Sequence, residues 1–438
     1  MMKILWLIYN LLLPAALLLV APSYVMRMRK RGQAGYRWRE RFGIFDDTVR
    51  NQLEQMERPV WIHAVSVGEV KMAEVLIREL RQLRLEQEVV LSTTTITGRR
   101  LAEAIEDDHL TVIFHTIDLW WCVRRVFDLV NPALVVLVEQ ELWPNQLVLS
   151  KRRGVPVWLV NARLSDRSRQ RFERFQGVLR PLLGLLDFVG VQSELEIGRF
   201  AVCGFPPHKL FNVGSMKFDV VDDSDGRKQA EAQHLPGKLG WSSEDLVVLC
   251  GSTHHPEEEM LLRVCGELDA NEHSVRVILV PRHAERVGEM VELCDVAGKN
   301  FVLKSQLVSG DVESVPEVLV VDTTGELSAL YGIADMNIIG KSFYGVGGQN
   351  FLEAACFPHP IVVGPEMSNF KDTVELFKEE GALIQVRDEH ELLRVLQSLV
   401  MDPDLRRVTG EKACRVMEAN RGAAKRQAEM MMRFLKSD

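Results

Sequence analysis

The chain has 438 residues, more than one typical hydrophobic core needs and enough for two domains. Its composition is that of an ordinary globular protein, with 47% hydrophobic and 26% charged residues. A net charge of −8 argues against broad nucleic-acid binding. The seven scattered cysteines contain no CxxC pair, which disfavours a disulfide framework or a thiolate zinc site and favours free thiols in a reducing compartment.

The N-terminal segment is the first predicted element. No charged residue occurs from Ile4 to Met26, a stretch long enough to cross a bilayer. Four basic residues follow between positions 27 and 31, against Lys3 alone in front, so the positive-inside rule places the remainder in the cytoplasm. A cleaved signal peptide would carry its charges first. We therefore predict a membrane anchor with a basic flank over residues 1–31, and its prolines also permit a monotopic attachment.

A basic segment with interleaved aromatic residues comes next, "RKRGQAGYRWRERFG", residues 29–43. Tyr36, Trp38 and Phe42 alternate with its cations. Such a pattern suits anionic lipid headgroups, and it is equally typical of a solvated helix beside a membrane.

The chain then alternates between short apolar runs and amphipathic stretches. Strands are predicted over 59–65, 88–93, 110–115, 133–138, 155–160, 187–191 and 209–213, and helices over 69–85, 97–106, 119–130, 142–153, 166–184 and 193–203. After a polar stretch the alternation resumes, with strands near 275–280, 317–321, 335–339, 360–363 and 383–386 and a charged helical stretch over 403–436.

This pattern predicts an α/β protein with two Rossmann-like domains, each a doubly wound parallel sheet. We assign residues 32–218 to the first domain, 219–244 to a linker, and 245–438 to the second domain with its closing helix. Ligands of such sheets bind at the carboxyl ends of the strands, so a cleft between the two domains is expected.

Three acidic residues follow predicted strands in the first half. In "HAVSVGEVK" Glu69 lies on the first helical turn, where it either complements the helix dipole or acts as a base. In "VEQELWPN" Glu139 and Glu141 are two residues apart. One carboxylate is expected to face the cleft and the other to cap the next helix.

Two further motifs of the first half allow two interpretations each. The hydroxyl-rich "LSTTTITGRR", residues 91–100, either caps a helix or holds sugar hydroxyls and phosphate. Lys217 in "VGSMKFD" either offsets negative charge in the cleft or is an ordinary surface lysine.

The second half has the features of an anion site. Ser252 and Thr253, in "CGSTHHPEEE", precede a helix and present hydroxyl and N–H groups. The histidines and acids that follow lack HExxH spacing, so no metal is predicted. Arg282 is suited to a phosphate. The glycines of "GVGGQN", Gly348 among them, allow close approach of a ligand to the backbone, and Asn350 is expected to open a helix.

Nine motifs in one order carry a family resemblance: "WIHAVSVGEV", "STTTITGRR", "VEQELWPN", "VNARLSDRS", "VGSMKFD", "GSTHHPEEE", "VPRHAER", "DTTGEL" and "GGQNFLEAA". They resemble those of the 3-deoxy-D-manno-octulosonic acid (Kdo) transferases over nearly the whole chain. The resemblance implies a GT-B fold and inverting transfer of Kdo from CMP-Kdo to the lipid A precursor (lipid IVA). It also implies action at the cytoplasmic face of the inner membrane, without metal, cofactor or nucleic acid.

The resemblance also implies roles for individual residues. Glu69 is similar to the family's general base, and Glu139 and Lys217 to residues that assist the transition state. The candidate acceptor-binding residues are Ser66, Gly68, Thr94 and Arg163. The candidate donor-binding residues are Ser252, Thr253, Pro281, Arg282, Thr324, Gly325, Glu326, Gly348, Asn350, Phe351, Leu352 and Glu353.

The sequence departs from the family pattern in a few nucleotide-contacting positions. The family's GGHN is here "GGQN", and its GNLKFD is here "GSMKFD". The alternatives are a GT-B enzyme that uses another nucleotide sugar and a catalytically silent membrane scaffold. A Rossmann dehydrogenase is disfavoured, because no GxGxxG opens the first strand–helix unit.

Overall fold

The structure, a computed structural model, describes residues 2–30, 37–164, 166–221, 226–269, 274–308, 314–345 and 347–437. It divides into two α/β units, the first comprising Met1–Val220 with Arg421–Asp438 and the second Val221–Asn420.

The strands of the first unit are β1 (Val60–His63), β2 (Val89–Thr93), β3 (Leu110–Phe114), β4 (Leu134–Val138), β5 (Val157–Ala162), β6 (Phe188–Val191) and β7 (Leu210–Asn212). Its helices before the second unit are α1 (Met2–Lys30), α2 (Asp47–Gln55), α3 (Val67–Leu83), α4 (Ile96–Glu103), α5 (Trp120–Val130), α6 (Pro144–Arg152), α7 (Asp166–Arg174), α8 (Gln176–Leu183) and α9 (Glu194–Val202). Short 3-10 helices occupy Trp38–Phe42, Pro207–Lys209 and Met216–Phe218.

The strands of the second unit are β8 (Leu246–Thr253), β9 (Val275–Pro281), β10 (Phe301–Leu303), β11 (Val318–Val320), β12 (Met336–Ile339), β13 (Ile361–Val363) and β14 (Ile384–Gln385). The helices from there on are α10 (Gly226–Gln233), α11 (Leu235–Lys238), α12 (Glu257–Asp269), α13 (Val287–Val296), α14 (Leu327–Leu330), α15 (Lys371–Glu379), α16 (Glu389–Met401), α17 (Pro403–Asn420) and α18 (Ala423–Ser437). Its 3-10 helices are Ala284–Arg286, Lys304–Val308, Tyr331–Ile333, Ala354–Cys356 and Ser368–Phe370.

The sheet of the first unit is parallel and has the order β3-β2-β1-β4-β5-β6-β7. Helices cover both faces, so a central strand such as β4 ("LVVLV") is buried at every position. Trp61 packs into the core on one face of the sheet, and Ile62 packs into the core on the other. The strand order reverses between β1 and β4, which places the unit's crevice at their carboxyl ends.

The second sheet is also parallel, with the order β10-β11-β9-β8-β12-β13-β14. The strand order reverses between β8 and β12. Strands β9, β11 and β10 extend the sheet on one side of β8, and β12, β13 and β14 extend it on the other. The two predicted parallel sheets are confirmed, and every predicted strand is present. The prediction omitted α2 and β10, and it gave no bounds for the helices α12 to α16 of the second unit.

Two boundaries of the predicted domains are wrong. The stretch predicted as a linker, 219–244, contains α10 and α11 and belongs largely to the second unit. Its few apolar side chains are buried there, and the Trp241 indole donates a hydrogen bond to the Pro316 carbonyl at 2.8 Å. Residues 222–225 of that stretch lie outside the described residues.

The predicted closing helix is two helices that belong to different units. Helix α17 belongs to the second unit, whereas α18 packs along α3 of the first. Asp219 helps to attach α18 to the first unit, since its carboxylate accepts the N–H groups of Gly422 and Ala424 at 2.6 and 2.7 Å. A side chain at the end of the first chain segment thus caps the N-terminus of α18.

The N-terminal helix α1 packs against the first unit. The Trp6 and Trp120 rings meet edge to face at 5.0 Å, and the Arg152 guanidinium lies over both. In the parts of the chain that the structure describes, no helix is long and apolar enough to cross a bilayer.

The C-terminal part of the basic segment packs partly into the first unit. Glu40 is buried and pairs with the buried Arg99 at 2.9 Å. Arg41 is also buried, stacks on the Phe114 ring and donates a hydrogen bond to the Thr94 carbonyl. Residues 31–36, Tyr36 included, lie outside the described residues.

Candidate active site

Glu69 occupies the first turn of α3, directly beyond β1. Its carboxylate accepts the Val65 N–H at 2.6 Å and the Ser66 hydroxyl at 3.1 Å. The side chain therefore folds back over the helix start, towards the residues that precede the helix. The residue is 9% exposed, so this carboxylate is largely removed from water.

The hydroxyl-rich stretch holds the backbone that Glu69 contacts. The Val65 carbonyl accepts hydrogen bonds from the Thr93 hydroxyl at 3.3 Å and from the Thr95 hydroxyl at 3.1 Å. Thr95 also caps α4 by accepting the Gly98 N–H. The helix-capping interpretation is thus correct for Thr95, and both threonines fix the peptide that orients Glu69.

Two more carboxylates lie beside Glu69 because β1 and β4 are neighbours. Glu139 follows β4 with a φ of +63°, a left-handed conformation that costs a non-glycine residue energy and is common at functional sites. Its N–H is held by the Val160 carbonyl at 3.0 Å, and Glu141 follows in the same loop. Glu141 does not cap α6 as one interpretation expected, since Asp118 accepts the N–H groups of that helix.

The three carboxylates influence one another. The pKa of Glu69 is raised to about 7: burial is the largest cause, the negative charges of Glu139 and Glu141 act in the same direction, and the hydrogen bonds from Val65 and Ser66 oppose the rise. Burial and Glu139 also raise the pKa of Glu141. A carboxylate with a pKa near neutrality is matched to general-base work.

Lys217 lies in the 3-10 turn Met216–Phe218, which follows β7 and packs against α3. The turn is fixed by Asn161, whose buried side-chain oxygen accepts the Met216 N–H at 2.9 Å. Asn161 itself has a φ of +50°. Sequence reasoning missed this residue, and the only signal for it was its place in "VNARLSDRS".

The four acceptor candidates also lie beyond strand ends of this sheet. Ser66 and Gly68 form the entry to α3, where Gly68 is exposed. Thr94 is half-buried, and its carbonyl holds Arg41. The Arg163 carbonyl accepts a hydrogen bond from the Gln140 amide, which fastens the Glu139–Glu141 loop.

In the second unit, the donor candidates surround the carboxyl ends of β8, β9, β11 and β12. Ser252 has a φ of +56°, and the buried Thr253 hydroxyl has no hydrogen-bond partner within the described residues. Arg282 is exposed directly after β9, and its N–H donates to the Thr253 carbonyl at 3.0 Å. Pro281 pairs in register with Thr253 and is buried.

The later donor candidates divide into surface and core positions. Thr324 and Gly325 are exposed before α14, and Glu326 forms an ion pair with Lys304. Gly348 has a φ of +69°, and a side chain there would collide with Met367. Asn350 and Glu353 are half-buried.

The helix expected to open at Asn350 is wrong, since only the 3-10 turn Ala354–Cys356 forms. Phe351 and Leu352 are fully buried at 0% and 1% exposure. Their side chains belong to the core and support the segment from within.

Glu257, one of the acids in "CGSTHHPEEE", has a structural role. Its buried carboxylate accepts the N–H groups of His254, Lys341 and Phe343 at 3.1, 2.6 and 2.9 Å. It thereby ties the start of α12 to the glycine-rich loop. No group of His, Cys, Asp or Glu suited to a metal ion occurs among the described residues.

Two α/β units, each built on a parallel sheet, give the protein a fold that resembles the two-Rossmann-domain (GT-B) glycosyltransferases. The fold matches the solved UDP-GlcNAc 2-epimerase from Neisseria meningitidis bound to UDP-GlcNAc with a TM-score of 0.57 and 12% identity, over 87% of this chain and 100% of that chain. At that identity the match concerns the fold alone.

The sequence comparisons are more specific. Residues 36–220 match the family described as 3-Deoxy-D-manno-octulosonic-acid transferase (kdotransferase). The chain is 32% identical to the 3-deoxy-D-manno-octulosonic acid transferase of Bordetella pertussis, over 86% of this chain and 87% of the relative. It is 29% identical to that of Haemophilus influenzae, over 86% and 87%. The chain therefore belongs to the Kdo transferase family and is a glycosyltransferase.

Proposed function

We propose that the protein transfers Kdo from CMP-Kdo to the lipid A precursor lipid IVA, with inversion at the anomeric carbon. Its family membership supports Kdo transfer. The observation that carries the chemistry is Glu69, a buried carboxylate at a switch-point crevice whose pKa is raised to about 7.

Glu69 accepts the proton of a primary hydroxyl on the acceptor. The hydroxyl oxygen then forms a bond to the anomeric carbon of Kdo from the face opposite CMP, and the bond to the phosphate oxygen breaks with its electron pair on CMP. A sugar hydroxyl is a poor nucleophile when protonated, so a positioned base contributes about 10²–10⁴ in rate. A single attack leaves one inverted bond and needs no protein nucleophile.

Negative charge develops on the phosphate of CMP as it leaves. The exposed Arg282 guanidinium and the backbone around Ser252 and Gly348 supply donors for this charge, and Lys217 adds a cation in the first unit. Glu139, next to Glu69, supports positive character on the sugar. Thr324, Gly325 and Glu326, with Asn350 and Glu353, are proposed to bind the nucleotide.

We place the enzyme at the cytoplasmic face of the inner membrane. The outward side of α1 exposes large apolar side chains, with Leu11, Leu18 and Leu19 at 74%, 77% and 83% exposure. A helix with one docked and one apolar exposed face suits an attachment in the plane of the lipid surface. An acyl-chain-bearing acceptor is reached most directly from that surface.

The test is transfer from CMP-Kdo to lipid IVA by purified full-length protein, beside Glu69→Gln and the matched control Glu74→Gln on the same helix. We expect product from wild type and the control, and a loss of at least 100-fold in Glu69→Gln with CMP binding retained. Equal product from all three would contradict the role of Glu69. No product from any would refute the proposed substrates, and inhibition by UDP or GDP in preference to CMP would indicate another nucleotide sugar.

A further inference from the structure

Helix α1 is joined to the first unit by polar contacts as well as apolar ones. The Asn145 side-chain oxygen accepts hydrogen bonds from the Trp6 indole at 2.7 Å and from the Asn10 amide at 2.9 Å. The Asn145 amide in turn donates to the Asn10 oxygen at 2.9 Å. Asn145 is fully buried, so these bonds satisfy groups that have no access to water.

Asp118 forms the second half of this connection. It is 2% exposed, and its carboxylate accepts the N–H groups of Asn145 and Gln146 at 2.9 and 3.1 Å. It also accepts the Tyr9 hydroxyl at 2.9 Å. One carboxylate therefore caps the start of α6 and binds α1 at the same time. We call Trp6, Tyr9, Asn10, Asp118 and Asn145 the polar lock.

The polar lock fixes one end of the loop that carries Glu139 and Glu141. Pro144 opens α6 and is followed at once by the locked Asn145. The other end of the loop is held at Glu139, whose N–H donates a hydrogen bond to the Val160 carbonyl. The Glu139 backbone is in the left-handed conformation. The position of both carboxylates therefore depends on where α6 begins.

We propose that α1 is a positioning element of the active site, in which Tyr9 and Asn10 set the geometry of the Glu139–Glu141 loop through Asp118 and Asn145. This inference rests on the proposed function. The opposite side of α1 exposes leucines, so one side of the helix carries the polar lock and the other side is free for a lipid surface.

The experiment compares Tyr9→Phe and Asn10→Ala with Asn51→Ala, an exposed asparagine on α2 of the same unit. We expect each polar-lock variant to lower kcat about 10-fold or more, with KM for CMP-Kdo and binding to vesicles unchanged. Asn51→Ala should retain the wild-type kcat. In a double-mutant cycle, Asn10→Ala should cost nothing further in an Asn145→Ala background, because both changes remove the same bonds.

Hydrogen exchange of the segment 139–149 in full-length protein gives a second readout, independent of turnover. Faster exchange there in Tyr9→Phe and Asn10→Ala, with wild-type exchange in the second unit, supports the positioning role in a folded protein. Unchanged kcat and unchanged exchange in both variants would overturn it. Absence of transfer by wild type itself would refute the proposed function, whereas wild-type turnover with silent variants would refute the polar lock alone.

Discussion

At the scale of single residues, the position of Glu69 suits both of the roles that its sequence context allowed. The residue lies on the first turn of α3, where a carboxylate complements the helix dipole, and its burial raises its pKa to about 7. The hydrogen bond from the Val65 N–H orients the carboxylate, and the burial raises its basicity. The two roles are therefore compatible in one residue.

The pH dependence of kcat/KM tests how hydrogen bonds and neighbouring charges set the pKa of Glu69. A base must be ionised, so activity should rise with pH through about 7. Ser66→Ala removes a hydrogen bond that lowers the pKa of Glu69, so the acid limb should move to higher pH. Glu141→Gln removes a negative charge that raises the pKa, so the limb should move to lower pH. Shifts in the same direction in both variants would contradict the assignment.

The stability of the protein should show the opposite pH dependence: the contribution of Glu69 to the free energy of unfolding should fall as the pH rises. Its folded pKa is raised from 4.5 to about 7, so its favourable contribution is complete below pH 4.5 and is lost as the pH rises through 7. At pH 8 the ionised carboxylate costs up to about 3 kcal/mol. Glu69→Gln should therefore have a higher Tm than wild type at pH 8, and the gain should shrink towards pH 5. A lower Tm at pH 8, with Glu74→Gln as reference, would contradict this.

Residues directly beyond strands could be predicted from the sequence, and residues that act through distant partners could not. Glu69 and Glu139 follow apolar runs, so their place at the sheet edge is a local consequence of the pattern. Asp118 binds backbone 27 residues away, and Glu257 binds Lys341 across 84 residues. Only the packed sheets bring such groups together, so their roles have no local signal.

At the scale of elements, the apolar runs predicted the strands except the short edge strand β10, because both faces of each parallel sheet are buried. The same reasoning failed for α10 and α11, whose polar composition resembles a linker although Ala232 and Leu235 are buried. The assignment of α18 to the first unit was not predicted either. An amphipathic pattern indicates that a helix packs against other elements, but it does not indicate which unit they belong to.

The capping of α18 by Asp219 provides a test of that assignment. Asp219→Ala leaves the N–H groups of Gly422 and Ala424 without their acceptor and should cost about 1–2 kcal/mol in the free energy of unfolding. Hydrogen exchange should accelerate in α18 and in α3, on which it packs. The matched control is Asp388→Ala, which removes the cap of α16 in the second unit. Faster exchange confined to the second unit in Asp219→Ala would contradict the assignment.

At the scale of the whole molecule, the candidate residues are divided between two parallel sheets, with the carboxylate cluster in one unit and the donor candidates in the other. The composition and the alternation of elements were enough to predict both units. The N-terminal helix was the exception, since a count of uncharged residues does not reveal that Trp6, Tyr9 and Asn10 dock one of its sides.

The exposed side of α1 leads to the last prediction. Leu18 and Leu19 are the most exposed of the leucines described in α1, and each apolar side chain removed from water contributes about 1.5–3 kcal/mol. Leu18→Glu combined with Leu19→Glu should therefore weaken co-sedimentation with anionic phospholipid vesicles at least about tenfold. Transfer to a short-chain, water-soluble acceptor should stay at the wild-type rate, because neither side chain belongs to the polar lock. Leu405→Glu on α17 is the control and should sediment like wild type. Equal sedimentation of wild type, the double variant and the control would show that another surface binds the membrane. A charged side chain on a helix face that is immersed in lipid must weaken binding.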